Sequence, residues 1–239
     1  MGPAPGEAGN VSPSFQVHVT ITRPFWVGKF SVTQQQWKTV MGSTVVEYIS
    51  HFEEDTYFVG IGPDYPMYSV SWFDAENFCH KLTAYGRAAG CVPLNYEFRL
   101  PTVAEREYTC RAGTTGPYGG NGVLDEMAWY KANSGDAVPH QSVPVMHPVG
   151  QKKPNSWGLY DMNGNTLEWC LDLGSGMPKN GNFTDPCGFK VDYHGIRGGS
   201  YRYDPIFCRS AYATNASPSS HSDYGFRIAL APIISPVVP

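Results

Sequence analysis

Side chains that carry oxygen donors are concentrated in one stretch of the chain, from Gly158 to Trp169. The donors around Gly164 in this stretch are Asp161, Asn163, Asn165 and Glu168. Calcium prefers such a mixture of carboxylate, amide and backbone oxygens. The spacing differs from that of an EF-hand loop, and as a bare pattern it favours turn chemistry over a metal site.

The cysteines and histidines are too dispersed to indicate a shared site. The six cysteines are Cys79, Cys91, Cys110, Cys170, Cys187 and Cys208. None forms a C-x-x-C pair, which argues against zinc-ribbon and thioredoxin-like sites. We expect buried thiols in a reduced compartment, with disulfide bonds in an oxidising compartment as the alternative. The seven histidines lack H-x-H and H-E-x-x-H spacing, so we expect no histidine metal site.

The segment Tyr201–Tyr224 has the composition of a recognition surface. It combines Tyr with Ser, Asn, Asp and His, and it has hardly any apolar periodicity. Antibody paratopes use this mixture, because Tyr supplies rigid amphipathic area and small polar residues adapt their hydrogen bonds. Glycines precede and follow the segment, where the backbone must turn or approach closely. We predict that the segment binds a ligand, and the alternative is a solvated loop without a partner.

The same segment lacks five residue types that the rest of the chain uses. Lys, Glu, Gln, Met and Trp are absent between Tyr201 and Tyr224. These five types cannot be reached by changing the adenines of an AAC codon, whose third base stays C. The observed set is therefore what adenine-directed mutagenesis of asparagine codons would leave.

Length and charge exclude some classes of protein. The 239 residues carry a formal net charge of −4, with 17 basic and 21 acidic residues and no basic run. A nucleic-acid binder would show a basic patch, so we expect no nucleic-acid partner. No stretch approaches the roughly 20 apolar residues of a membrane span, so we expect no membrane insertion. We see no signal peptide at the N-terminus, and the localisation stays open.

Regular elements are predicted mainly in the first half of the chain. Alternation over 15–21 and the apolar run 24–32 indicate two strands. Thr33 caps a helix over 34–41 that stops at Gly42, and 43–66 is predicted to be an irregular loop.

Two further helices and one strand follow. The strongest helix begins at Ser71 with an apolar stripe and fades between Gly86 and Gly90. A strand over 96–101 leads into a helix whose capping box is Thr102 and Glu105. With 26 glycines and 20 prolines, most of the remaining chain is expected to be loop. We predict a flexible segment over 1–14 and one domain over 15–239.

Six motifs, in order along the chain, resemble the formylglycine-generating-enzyme, or sulfatase-modifying-factor, family. They are Phe25–Thr33, Val70–Ala75, Arg99–Glu105, Gly158–Trp169, Arg197–Ser200 and Gly225–Arg227. The resemblance spans nearly the whole chain. It implies a C-type-lectin-like fold of the formylglycine-generating-enzyme type, which is α+β with much irregular loop.

The resemblance also implies an activity, which this chain does not match. Those enzymes oxidise a cysteine in a client protein, using copper held by two cysteines after the Gly-Gly-Ser motif. Here the first of these positions falls at about Tyr203, and only Cys208 occurs between Gly199 and Gly225. Thiolate pairs suit Cu(I), so we expect no copper here. The alternative is a divergent oxidase that pairs Cys208 with another cysteine, such as Cys187.

The resemblance also implies a calcium site, whose ligand positions in the family match four residues of this chain. These positions are Asp161, Gly164, Thr166 and Glu168, where the glycine and the threonine would contribute backbone carbonyls. The resemblance thus implies a structural calcium ion at this loop. A second calcium site of the family would begin near Asn133, but its further ligands have no match.

The C-terminal segment resembles the variable proteins of diversity-generating retroelements, many of which share this fold. This resemblance implies a non-catalytic protein that recognises a protein or cell-surface ligand, and we expect a monomer. The implied contact residues are Tyr201, Tyr203, Asp204, Ile206, Phe207, Tyr212, Thr214, Asn215, Ser217, Ser219, His221, Asp223 and Tyr224. Arg197, Arg209 and Arg227 are expected to be structural, with guanidinium groups that tie loops to carbonyls or carboxylates.

Overall fold

A computed structural model of the chain contains five α-helices and nine short strands among the residues that it describes. The structure describes residues 1–3, 16–51, 59–135, 144–172, 181–188 and 192–234. The helices are α1 (Gln34–Met41), α2 (Val45–Ile49), α3 (Trp72–Ala88), α4 (Val103–Arg111) and α5 (Leu124–Met127). The strands are β1 (His18–Thr20), β2 (Trp26–Val27), β3 (Tyr96–Arg99), β4 (Leu167–Trp169), β5 (Asn182–Thr184), β6 (His194–Arg197), β7 (Ala213–Ala216), β8 (Tyr224–Phe226) and β9 (Ala229–Pro232). This mixture of short elements and long connections confirms the predicted α+β class.

Three small sheets organise the described strands. β1 pairs with β5 in parallel, and β9 lies between β2 and β3 in an antiparallel sheet. The largest sheet has the order β7-β6-β4-β8, in which only the β4–β8 pair is parallel. Because β8 and β9 are separated by two residues, Arg227 and Ile228 connect this sheet to the sheet of β9.

Local capping signals set where the helices begin. Thr33, Thr44 and Thr102 each form a complete capping box, which satisfies first-turn amides that would otherwise lack an acceptor. The predicted starts of α1, α3 and α4 are confirmed, and Gly42 ends α1 with a φ of 90°.

Some predicted boundaries were wrong. The predicted loop 43–66 contains α2, which begins with a capping box formed by Thr44 and Glu47. The predicted strand over 24–32 shrinks to Trp26–Val27, which pairs only with β9. Of the segment 1–14, residues 4–14 lie outside the described residues. The Met1 ammonium donates to the Val17 carbonyl at 2.9 Å, and the predicted flexibility of the segment stays a prediction.

Aromatic side chains from distant parts of the chain form the main core. Trp37 of α1 stacks on Phe78 of α3 at 6.0 Å, and Phe78 meets Phe226 of β8 edge-on at 5.2 Å. Trp169 of β4 and Ile196 of β6 are fully buried in the same cluster. The core therefore packs against the sheet that carries β7, which lies within the predicted recognition segment, and β8, which begins at the last residue of that segment.

The cysteines are free thiols, and most of them are interior. Cys79, Cys110, Cys170 and Cys208 are buried, as predicted, whereas Cys187 is half-buried and Cys91 is exposed. The prediction of burial was therefore wrong for Cys91. Among the described helices, none is both long enough and apolar enough to cross a membrane.

The buried carboxyl of Asp172 predicts a pH dependence of stability. Burial raises its pKa to about 7, although the Val103 N–H donates to it at 2.7 Å. The pKa of this aspartate is higher in the folded state than in the unfolded state. Such a group contributes fully to stability when the pH is below the unfolded pKa, and this contribution is lost as the pH rises through the folded pKa. We therefore expect the free energy of unfolding contributed by this group to fall as the pH is raised from about 4 to about 7.

Urea unfolding across this pH range measures the effect. Asp172→Asn should flatten the dependence, whereas the exposed control Asp64→Asn should leave it unchanged. An equal slope in wild type and Asp172→Asn would contradict this assignment.

Candidate ligand-binding surface

A fully buried carboxylate, Glu168 of β4, ties together three distant parts of the chain. The Ser31 hydroxyl donates to Oε1 at 2.6 Å, and Arg106 Nε donates to Oε2 at 2.6 Å. Arg227 donates from Nη2 to Oε1 at 3.0 Å and from Nε to Oε2 at 3.2 Å. Burial would raise the pKa of Glu168, but the two guanidinium groups and their hydrogen bonds lower it to about 2.

A second ion-pair network holds the start of the recognition segment. Arg197 donates from Nη2 to Glu107 at 2.9 Å, and from Nη1 to the carbonyls of Ser210 and Tyr212 at 3.0 and 3.2 Å. Arg209 Nε donates to the Ile206 carbonyl at 2.9 Å. With the contacts of Arg227, these bonds confirm that all three arginines are structural, as predicted.

Glycines before and near the end of the segment allow the backbone to pack closely. A Cβ added to Gly199, whose φ is 71°, would lie 2.6 Å from Cys208 Sγ and 2.8 Å from the Phe207 carbonyl oxygen. A Cβ on Gly225 would lie 2.4 Å from the Met67 carbonyl oxygen. A side chain at either position would clash, so these glycines fix the backbone at both ends of the segment.

Two of the predicted contact residues are interior, so the prediction of surface contact was wrong for them. Tyr201 is 4% exposed and packs in the main core. Asp223 is also 4% exposed, and its carboxylate accepts hydrogen bonds from Ser200 and Ser222 and pairs with Arg202 at 3.2 Å. Both residue types are common in paratopes, but in this fold the two side chains contact interior residues and stabilise the structure.

The other eleven predicted contact residues are at least partly accessible. They are Tyr203, Asp204, Ile206, Phe207, Tyr212, Thr214, Asn215, Ser217, Ser219, His221 and Tyr224. We define the recognition surface as the accessible side chains over 202–224. Phe207 meets Tyr203 at 5.6 Å and Tyr212 at 5.2 Å, both edge-on. These three rings form a continuous aromatic cluster on the surface.

Tyr224 instead packs edge-on against Trp169 at 5.1 Å and is partly a core residue.

Residues outside the segment border this aromatic cluster, and sequence reasoning missed them. The Tyr118 hydroxyl donates to the Pro205 carbonyl at 3.2 Å. Lys131 donates its backbone N–H to the Tyr203 carbonyl at 3.1 Å, and its Nζ lies 3.5 Å from Asp204. Within the segment, the guanidinium of Arg202, which was not among the predicted contacts, lies 5.8 Å from the centre of the Tyr203 ring. No motif marks Tyr118 or Lys131, because only the fold brings them to the surface.

The predicted calcium ligands share one turn, but their arrangement does not fit a calcium ion at Glu168. Both carboxylate oxygens of Glu168 already accept from arginines, and the Thr166 hydroxyl donates to the Asp223 carbonyl at 2.8 Å. The carbonyl of Gly164 accepts from the Thr166 N–H. Burial raises the pKa of Asp161 to about 6. Over the described ranges, no three acidic, histidine or cysteine side chains form a cluster that could hold a metal.

Calcium binding nevertheless stays a prediction that a melting experiment can test. One Asp161 oxygen accepts from the Gly150 N–H at 2.8 Å, and the other is buried without a hydrogen-bond partner in the described part of the chain. An ion bound there would stabilise the folded state by mass action. The prediction then requires a lower melting temperature in EDTA than in calcium. Equal melting temperatures would contradict it.

The Cys208 thiol lies in an unreactive environment. It is fully buried against Gly199, Leu124 and Tyr130, and burial raises its pKa to about 12. A cysteine binds copper or acts as a nucleophile only as the thiolate, and burial of Cys208 disfavours that charged form. The half-buried Cys187 belongs to a different cavity, lined by Arg99 and Glu105. The structure therefore does not support an oxidase site built on Cys208.

Comparison with known proteins identifies a family. Residues 4–232 match the model of the sulfatase-modifying factor enzyme 1-like domain. The chain is 33% identical over 186 residues to the formylglycine-generating enzyme of Streptomyces coelicolor, a match that covers 70% of this chain and 53% of that protein. It is 30% identical over 185 residues to the chaperone protein LppX of Paenibacillus barcinonensis, covering 62% of each. The matches thus span between half and two thirds of these relatives.

A solved structure supports the same fold. Variable protein 1 of Treponema denticola superposes with a TM-score of 0.76 at 27% identity, over 97% of this chain and 94% of that one. The predicted fold, α+β and C-type-lectin-like of the formylglycine-generating-enzyme type, is confirmed by the family match and this superposition.

Proposed function

The chain belongs to the sulfatase-modifying-factor family, and on that premise we propose that it is a non-catalytic ligand-binding protein. In this proposal the recognition surface over 202–224 binds a protein or another cell-surface molecule. The surface offers a cluster of aromatic rings, several hydroxyl groups and few unpaired charges.

The proposal depends mainly on one observation, the contrast between the backbone and the side chains of this segment. Its backbone is held by Arg197, by Arg209 and by the close approach of Gly199 to Cys208. The side chains of Tyr203, Phe207 and Tyr212 nevertheless remain partly exposed. A rigid backbone lowers the entropy lost on binding, so exposed rings on it can contribute strongly to affinity.

Two further findings support the idea that the surface is diversified. The segment lacks the five residue types that adenine-directed mutagenesis of AAC codons cannot produce. The structure also resembles variable protein 1 of Treponema denticola over nearly its full length. We therefore propose that this chain is a variable protein of a diversity-generating retroelement, whose exposed positions change while the buried framework persists.

Family membership alone would equally allow an enzyme, because formylglycine-generating enzymes are among the relatives. Tyr203 stands where the resemblance places the first copper-binding cysteine, and the Cys208 thiol is buried with a raised pKa. Both observations favour binding over oxidation for this chain.

The test is a binding screen against an array of purified cell-surface proteins and glycans. We compare wild type with a variant that carries Tyr203→Ala, Phe207→Ala and Tyr212→Ala. Aromatic anchors at the centre of an interface typically contribute about 2 kcal/mol or more, which corresponds to a loss of affinity of roughly 30-fold. We therefore expect the array signals of wild type to disappear in the triple variant.

Tyr85→Ala is the matched control, because Tyr85 is an exposed ring of α3 outside the recognition surface. Array signals should survive in this control. Circular dichroism must show that each variant is folded at the temperature of the screen. If the triple variant kept the array signals of wild type, recognition would lie elsewhere and the proposal would fail.

A further inference from the structure

The strand β7 forms one edge of the largest sheet and lies within the recognition segment. It pairs with β6 on one side, and no described strand pairs with it on the other side. The edge of a sheet presents N–H and C=O groups to which another strand can be added. The recognition segment therefore offers a backbone site in addition to its side chains.

The hydrogen bonds of β6 show which backbone groups of β7 point outward. Gly195 of β6 bonds to the end of β4, since its N–H donates to the Asp172 carbonyl at 2.7 Å. Successive residues of an antiparallel strand bond to opposite sides, so the next residue, Ile196, bonds to Thr214 of β7. The N–H and the C=O of Ala213 then point away from the sheet. Neither group has a hydrogen-bond partner in the described part of the chain.

The sequence of β7 carries none of the features that usually prevent strand addition at an edge. Natural edges are protected by charged side chains, by proline or by a β-bulge. The four residues of β7 are Ala, Thr, Asn and Ala, and their pairing with β6 is continuous from Ala213 to Ala216. The small side chains at both ends of the strand also leave room for another backbone. An edge of this composition is suited to bind a strand.

Aromatic rings lie at both ends of β7. Tyr212, a member of the surface cluster, immediately precedes the strand. At the other end, Ala216 is paired with His194, whose ring stacks on Trp72 at 3.8 Å. Phe73, which is 55% exposed, meets Trp72 edge-on at 5.8 Å. Four residues of a strand span about 13 Å, so one short peptide alongside β7 can reach the rings at both ends.

We propose that the ligand of the recognition surface is a protein with an extended segment that adds to the edge of β7 as a fifth strand. This inference rests on the proposed function and names the form in which the ligand binds. The added segment bonds to the N–H and C=O of Ala213, and its side chains contact Tyr212 at one end and Phe73 at the other. In strand addition, main-chain hydrogen bonds give affinity and side-chain contacts give specificity. The backbone contacts therefore persist while the exposed side chains around them are diversified.

Peptides that carry single N-methyl groups test the proposal. A phage-displayed library of random 12-residue peptides is selected on the full wild-type chain. An enriched peptide is then synthesised with one N-methyl group at each position in turn, and its affinity is measured by calorimetry. A strand bonds to its neighbour only at every second residue, and N-methylation removes the donor. We expect two alternate positions to weaken binding by at least about tenfold, or about 1.4 kcal/mol, with little effect at the position between them.

A pair of variants of the strand provides a second test. Ala213→Pro removes the outward N–H but no donor to β6, and proline is tolerated at such an edge position. It should weaken peptide binding by at least about tenfold, whereas Ala213→Val, which adds similar bulk and keeps the N–H, should stay within about threefold of wild type. Circular dichroism shows whether both variants are folded. If Ala213→Pro does not fold, the N-methyl series on wild type decides.

Three results would overturn strand addition. They are a library without an enriched peptide, an affinity that tolerates N-methylation at every position, and equal affinities of folded Ala213→Pro and Ala213→Val. The protein array with the triple aromatic variant tests the recognition surface separately, so the surface can bind a ligand even if this proposal fails. Analytical ultracentrifugation tests the other occupant, a second copy of the chain. A wild-type dimer that Ala213→Pro dissociates would show that β7 pairs with that copy, and would also overturn the proposal.

Discussion

Glu168→Gln is expected to lower the free energy of unfolding by about 3 to 5 kcal/mol, the usual cost of breaking a buried ion pair from one side. The substitution keeps the size of the side chain but removes its charge. Arg106 and Arg227 would then lie in the interior without a carboxylate. Neither guanidinium is accessible enough to recover its hydration, so the remaining bonds to carbonyls cannot compensate.

The pH dependence of wild type provides an internal check on this value. Because the pKa of Glu168 is lowered to about 2, its contribution to stability is present above the unfolded pKa of 4.5. This contribution is lost as the pH falls from 4.5 towards 2. Urea unfolding should therefore show acid destabilisation in wild type that is reduced in Glu168→Gln.

The matched control is Glu126→Gln, at an exposed carboxylate 2.8 Å from Lys153. Exposed ion pairs contribute about 0 to 1 kcal/mol, so we expect little change in this control. A loss of stability in Glu168→Gln no larger than that of the control would show that the two arginines do not depend on the carboxylate.

The second large effect is expected from Gly199→Ala, which should lower the free energy of unfolding by about 2 to 5 kcal/mol. A left-handed backbone conformation costs a residue with a Cβ about 1 to 2 kcal/mol. Overpacking against Cys208 and the Phe207 carbonyl adds about 1 to 3 kcal/mol. The turn that carries Phe207 must also move, so this variant should lose array binding even at temperatures where it is folded.

Gly188→Ala is the control for this prediction. A Cβ added to Gly188 would meet open space, and its φ is not left-handed, so the stability of this variant should stay within about 0.5 kcal/mol of wild type. Melting by circular dichroism compares the two variants. If Gly199→Ala melted at the temperature of Gly188→Ala, the close approach at Cys208 would not be a fixed feature of the fold.

The starts of the helices could be predicted from the sequence because helix caps are local. Thr102 and Glu105 are three residues apart, and their capping box needs no other part of the chain. The same holds for Ser71, which accepts from the Asp74 N–H at the start of α3. The capping box of α2, Thr44 with Glu47, is equally local, so the start of α2 could have been predicted in the same way.

The structural arginines could also be predicted, although their partners could not. An arginine beside an aromatic residue and a turn glycine indicated that Arg227 is held in place. Its partners lie far away in sequence, with Gly28 at a separation of 199 residues and Glu168 at 59. No spacing rule joins such positions, because the contact exists only after the sheets have packed.

The sequence by itself determined the family, the α+β class and the starts of α1, α3 and α4, and it marked the segment for which we propose ligand binding. Tertiary structure alone decided which side chains of that segment face solvent, because residue type does not report burial. Tyr201 and Tyr203 are chemically identical, yet Tyr201 packs in the core while Tyr203 joins the surface cluster. The fold likewise decided which side chains meet Glu168, because it places Arg106 and Arg227 against this carboxylate.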